Sequence, residues 1–245
     1  MISNKSVEVL PAIIPESFDD LKDKMSLVNG IVPAVQVDVC DGKFVPSKSW
    51  PYIGDEENDF EKMQDEESEG FPFWQTLDFE ADLMVKMTQE IAEKWIRVGA
   101  KRIILHLESA PDIFEIIKKL REEYGYPVDS AVSIEIGLAI NIDTSNEELD
   151  KYLFKNDEEK DLVDFVQFMG INKIGYQGQE FDENVLDKIA ELREKYPDLT
   201  IAVDGGVNFD TAGDLKDVGV NKLVSGSALY ESENIKEAIE EMKNI

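Results

Sequence analysis

The sequence predicts an α/β fold of the (β/α)8 TIM-barrel class, and three observations predict it. Short apolar runs alternate with longer segments of helical period, the pattern of repeated βα units around a parallel sheet. About eight such units can be counted along the chain. Eight units over 245 residues suit one closed barrel better than an open doubly wound sheet. The expected organisation is a single domain over 1–245, with an acidic insertion at about 51–76 after the second strand.

The elements follow in order. "VEVLPAI" reads as the first strand, and the helical period from Phe18 to Val28 ends at Asn29-Gly30, residues that tolerate the left-handed backbone of a helix end. "AVQVDV" is the second strand, but no clean helix follows it. Instead comes "PYIGDEENDFEKMQDEESEGFPFWQT", acidic and closed by aromatics. It is either a solvated insertion with a short helix inside, packed down by Phe71, Phe73 and Trp74, or a lid, because loops that follow strands lie on the functional face of such barrels. "FEADLMV" is the third strand; Thr88 suits the N-cap of a helix from Gln89 to Val98, and Gly99 its end. "RIILHL" precedes a helix from Asp112 to Tyr124. "SIEIGLAI" precedes one from Glu147 to Phe154, with Ser145 as its cap. "DFVQFM", "TIAVDG" and "NKLVSGS" complete the strands, with helices at Asp182–Tyr196, Phe209–Val218 and Asn234–Met242.

Composition narrows the function. A formal charge of -28 repels nucleic-acid phosphates and anionic membrane surfaces, so neither is an expected partner. No stretch reaches the ~20 apolar residues that span a bilayer, and "MISNKSVEVL" lacks the basic start and apolar run of an export signal. One cysteine, Cys40, excludes an intrachain disulfide framework. A soluble, cytoplasmic protein acting on a small molecule is expected.

In a barrel of this class the C-terminal strand ends share one mouth, so Asp38, Asp82 and Asp204 could converge although distant in sequence. Asp204 is followed by Gly205-Gly206 and then a helix, a turn that exposes backbone N–H groups to an anion. Gly226-Ser227 repeats the device after the eighth strand. Glycine turns in two consecutive final units point to phosphate. Asp41-Gly42 reads as a turn, and His106 as a packed, hydrogen-bonded residue rather than a ligand.

Taken together, "LPAII", "VQVDVCDGKFVP", "ADLMV", "FMGINKIGYQGQEF", "AVDGGVN" and "VSGSALY" resemble the ribulose-phosphate 3-epimerase family, in order over nearly the whole chain. The resemblance implies a ribulose-phosphate-binding barrel. It also implies an isomerase that interconverts D-ribulose 5-phosphate and D-xylulose 5-phosphate, or a related phosphosugar, at C3 through an enediolate. Asp38 and Asp204 match the two acid/base positions, and a divalent metal stabilises the enediolate. Inversion beside a carbonyl calls for two such groups, because a proton leaves one face and another arrives on the opposite face. Met84 and Met169 match pocket methionines, Cys40 stands at a third such position, and Ala12 at that of a substrate-contacting serine. Gly175 and Gly178 match the phosphate loop, in which Gln177 replaces a glycine, and Lys173 is the basic residue nearest this mouth.

The departures are chemical. Gln36 and Asp82 stand where the family has metal-ligand histidines, and His106, the sole histidine, matches a family histidine outside that ligand set. A metal site of Gln36, Asp38, Asp82 and Asp204 would be all oxygen, favouring Mn2+ or Mg2+ over Zn2+. The alternative is a catalytically inactive phosphosugar-binding barrel derived from the epimerases. The resemblance leaves a homo-oligomer open.

Overall fold

The computed structural model describes residues 7–54, 57–64, 70–127, 133–153, 161–176 and 178–245. Eight parallel strands pair in chain order and close into a barrel, the last returning to the first. They are β1 (Glu8–Ile13), β2 (Ala34–Cys40), β3 (Asp78–Met84), β4 (Arg102–His106), β5 (Glu135–Ile140), β6 (Phe165–Met169), β7 (Thr200–Asp204) and β8 (Lys222–Ser225). Each falls on the apolar run that predicted it.

The helices are α1 (Phe18–Val28), α2 (Glu57–Lys62), α3 (Gln89–Arg97), α4 (Ile113–Tyr124), α5 (Asn184–Lys195), α6 (Ala212–Asp217), α7 (Ser227–Tyr230) and α8 (Ile235–Asn244). Side-chain caps set several starts: Ser17 accepts the Asp20 N–H at 3.0 Å, and Thr88 accepts that of Ile91 at 3.3 Å. Two expected helices differ. After β5, only a single 3-10 turn, Asn146–Leu149, forms in place of a helix to Phe154, which lies outside the described residues. Here Lys188 of α5 donates to the carbonyls of Asn141 and Ile142, and the Asn146 amide donates to the Lys188 carbonyl. These cross-links tie the segment to α5 as a loop. The helix after β7 starts at Ala212 rather than Phe209, because Asn208 Oδ1 accepts the N–H groups of Asp210 and Thr211 and holds a turn there.

Alternation along the strands divides the apolar residues into two layers. Val35, Val37 and Val39 of β2, with Phe79, Ala81 and Leu83 of β3, belong to the large core between sheet and helices. The barrel interior holds separate groups, Leu10, Ala12, Ala34 and Val224 on one side and Ile104, Ala139, Phe165, Met169 and Ala202 on the other. At the N-terminal end of the strands, buried Glu80 pairs with Arg102 and lies 4.0 Å from Lys222.

The aromatic end of the insertion packs on the flank of the barrel. Phe71 stacks on Phe79 with ring centroids 3.7 Å apart, and Trp50, Phe60 and Trp95 close the cluster. Phe71 thus joins the sheet–helix layer beside β3 and α3, and full burial of such a ring contributes about 2–3 kcal/mol. Phe73 packs at the edge of the same core and Trp74 is exposed. The aromatic patch holds the insertion down and does not form a lid. No helix among the described residues is long and apolar enough to cross a membrane.

Candidate active site

Strand parity sends Gln36 and Asp38 of β2 inward, and parallel register sets Asp38 opposite Asp82 of β3 and Met169 of β6 opposite Asp204 of β7. One oxygen from each of Asp38, Asp82 and Asp204 lies within 4.8 Å of the others. Asp38 and Asp82 are buried, while Asp204 keeps part of its surface. Gln36 links two of the acids, its Nε2 donating to Asp38 Oδ1 at 2.7 Å and to Asp204 Oδ2 at 2.6 Å. Asp82 has its own partners: His106 Nε2 at 3.0 Å from Oδ1, and Gln167 Nε2 donating to Oδ2 at 3.2 Å.

Crowded carboxylates in a dry site resist ionisation. Burial, then the charges of Asp204 and Asp82, hold the Asp38 carboxyl well above its ordinary range. Burial and Asp82 push Asp204 up to about 7, against the opposing hydrogen bond from Gln36. For His106, burial disfavours the charged ring, but the charge and hydrogen bond of Asp82, with the charges of Glu108 and Asp204, together outweigh burial and raise its pKa. Without a cation, both members of the Asp38–Asp204 pair thus hold protons more readily than ordinary carboxylates.

A cavity of about 230 Å³ opens above this cluster. Ala12, Asp38, Met84, Met169 and Asp204 line one part, and Gly175, Gly178, Gly205, Gly206, Gly226 and Ser227 line another. Gly205 and Gly206 have φ of +95° and +71°, and a Cβ at Gly206 would lie 2.8 Å from the Phe181 Cα. Only glycine allows that backbone there without strain. The first turn of α7 leaves the Ser227 and Ala228 N–H groups without intrahelical carbonyl partners, and both residues line the cavity. No lysine or arginine is among the described residues that line it, and Lys173 is exposed and not one of them. Gln177 lies outside the described residues.

Cys40, expected in the pocket, does not line it. Its side chain is buried against Val45 and Met84, and burial pushes the thiol up to about 12. Gln36 and Asp82 are fully buried and do not line the cavity either. Asp41 organises a turn: Oδ1 accepts the Lys43 and Phe44 N–H groups, and Oδ2 that of Lys86. The loop so fixed lays Phe44 against His106, ring centroids 5.4 Å apart. Gln167 escaped the sequence reading, although a polar residue two positions before Met169 on an apolar strand shares its inward face.

The model of the ribulose-phosphate 3 epimerase family matches residues 8–230. This chain belongs to the ribulose-phosphate 3-epimerase family. It is 28% identical over 244 residues to a ribulose-phosphate 3-epimerase of Bacillus subtilis, covering 97% of this chain and 98% of that one. It is 26% identical to that of Eremothecium gossypii, covering 96% and 91%. Among solved structures, KGPDC from Streptococcus mutans shares the fold with a TM-score of 0.68 at 14% identity, covering 98% of this chain and 97% of that one.

For an epimerase-family barrel the metal question turns on donors. Three carboxylates converge, and the Gln36 Oε1 is buried with no hydrogen-bond partner. The excess negative charge of three buried carboxylates fits a divalent cation, whereas Gln36, expected as a fourth oxygen donor, turns its Nε2 and not its Oε1 towards Asp38 and Asp204.

Proposed function

We propose that this epimerase-family protein interconverts D-ribulose 5-phosphate and D-xylulose 5-phosphate, with Asp38 and Asp204 as the acid/base pair. The observation that carries the reading is their common placement: both carboxyls line the cavity that the glycine turns also line, and both accept from one Gln36 amide. With the phosphate held by backbone N–H groups of the turns at Gly205-Gly206 and Gly226-Ser227, the ketose extends towards the carboxylates. One of the two, ionised, removes the C3 proton; the other, protonated, delivers its proton to the opposite face of the enediolate. Each turnover leaves the pair with one proton on the opposite carboxyl, the state that suits the reverse reaction, and exchange with solvent returns it before the next turnover in the same direction. Met84 and Met169 give the planar intermediate an apolar, water-excluding contact. Asp38, Asp82 and Asp204 would hold the cation, Mn2+ or Mg2+ before Zn2+, and when bound it would supply positive charge against the enediolate oxygens.

The test is proton NMR of D-ribulose 5-phosphate in D2O with the protein, first metal-stripped and then with Mn2+, Mg2+ or Zn2+, reading deuterium at C3 in quenched, metal-free samples. Deuterium incorporation is expected, fastest with Mn2+ or Mg2+. Absence of exchange under every condition, with sugar binding still seen by saturation transfer in the metal-free sample, would replace this reading with that of a phosphosugar-binding barrel.

A further inference from the structure

We infer that Gln167 is a positioning residue for this site, orienting Asp82 as a cation ligand; the inference rests on the metal reading above. Gln167 points inward from β6, fully buried, on a strand face it shares with Phe165 and Met169. Its neighbours in the parallel register are Ala139 and Ala202. An apolar side chain would fill that layer without desolvating an amide.

Only one end of the amide is satisfied. Nε2 donates to Asp82 Oδ2 at 3.2 Å, whereas Oε1 is buried without a partner. A glutamine kept for packing or for a polar network would have both ends engaged; this one is engaged where it faces Asp82. From β4, His106 Nε2 meets the other oxygen, Oδ1, at 3.0 Å. The two groups grip the carboxylate from different strands and fix its plane. Each oxygen has a further lone pair, so the grip leaves Asp82 able to bind a cation.

The chemistry explains why a donor is required. A ligating imidazole is oriented by an acceptor for its second N–H, whereas a ligating carboxylate is oriented by donors. Asp82 stands where the family motif carries histidine, and His106 matches a residue already present in that motif. Gln167 is the second group that the carboxylate meets, and it donates to it. It does not line the cavity, so it acts through Asp82 and not on the substrate.

The experiment compares the full chain with Gln167→Met, an unbranched replacement of similar size, and with Gln167→Leu as a second variant in case the first fails to fold. Mn2+ binding is followed by the electron paramagnetic resonance of free Mn2+. The expected result is one strong site per chain in the unmutated protein and about 10–100-fold weaker binding in the variant, with this difference lost when both proteins also carry Asp82→Asn. Equal Mn2+ affinity of variant and parent would overturn the inference while leaving the metal reading intact. The metal-free NMR of His106, the sole histidine, gives a second readout: the Nε2–H signal should move when Gln167 is replaced, because the carboxylate it faces is no longer held. If the parent binds no Mn2+, the metal reading fails and the ligand role with it. The His106 signal then decides what survives: an unmoved signal removes the positioning role too, and a moved one retains it.

Discussion

Replacing Asp204 by Asn separates a working acid/base group from a carboxylate that merely shapes the Gly205-Gly206 turn. Asparagine keeps an oxygen for the Gln36 amide, so the change removes charge and little else. The folded-state pKa of about 7 lies above the ordinary 3.8. The native state therefore holds more protons than the unfolded chain between those values, and stability declines as pH rises through that window before levelling off. A difference of roughly 3 units at 1.36 kcal/mol each amounts to about 4 kcal/mol, an upper value, because Asp204 titrates together with Asp38. Without metal, Asp204→Asn should thus be more stable than the parent at pH 8 by up to about 4 kcal/mol, or roughly 8 °C in Tm for a chain of this size. The gain should shrink steadily towards pH 4, while C3 exchange is lost. Urea unfolding in EDTA at several pH values, with parallel melts, measures it. Equal or lower stability at pH 8 with parallel pH profiles would refute the reasoning and return Asp204 to a turn-capping role.

Two further perturbations test the phosphate turns and the insertion. Gly206→Ala forces a Cβ to within 2.8 Å of the Phe181 backbone at φ +71°, so a loss of about 1–3 kcal/mol is expected, with KM for the phosphosugar rising at least about tenfold. A KM unchanged in steady-state assays would mean that this turn does not hold phosphate. Phe71→Ala empties a fully buried site on the barrel flank and should cost about 3–5 kcal/mol while leaving kcat and KM within about twofold; a large KM increase would show that the insertion contributes to the mouth.

The strands were legible because a parallel barrel buries both faces of each, so runs such as Ala34–Cys40 are almost continuously apolar. What interrupts such a run inward is either a site residue or a buried network, and Asp38 lines the cavity. The second βα unit was harder. Its outer layer is supplied by Trp50, Phe60 and Phe71 from an irregular segment, whose aromatic spacing carries no helical period. Nor could local pattern foresee the loop after β5, whose conformation depends on Lys188, more than 40 residues away.

The acids and Gln36 could be named from the sequence and Gln167 could not, and the two amides distinguish the acids from one another. A lone glutamine in an apolar strand marks an inward polar position but not its partner, and that of Gln167 is 85 residues away. Yet the count of buried donors separates the carboxylates. Asp82 accepts from both His106 and Gln167, whereas Asp38 and Asp204 share the single Gln36 amide. A carboxylate gripped by two donors is held in one orientation and is suited to ligate. Two carboxylates sharing one donor, each raised towards neutrality, are suited to exchange a proton with substrate. On this argument an aspartate at position 82 would leave the proposed proton chemistry with the other two acids, because its two neighbours suit it to a different task.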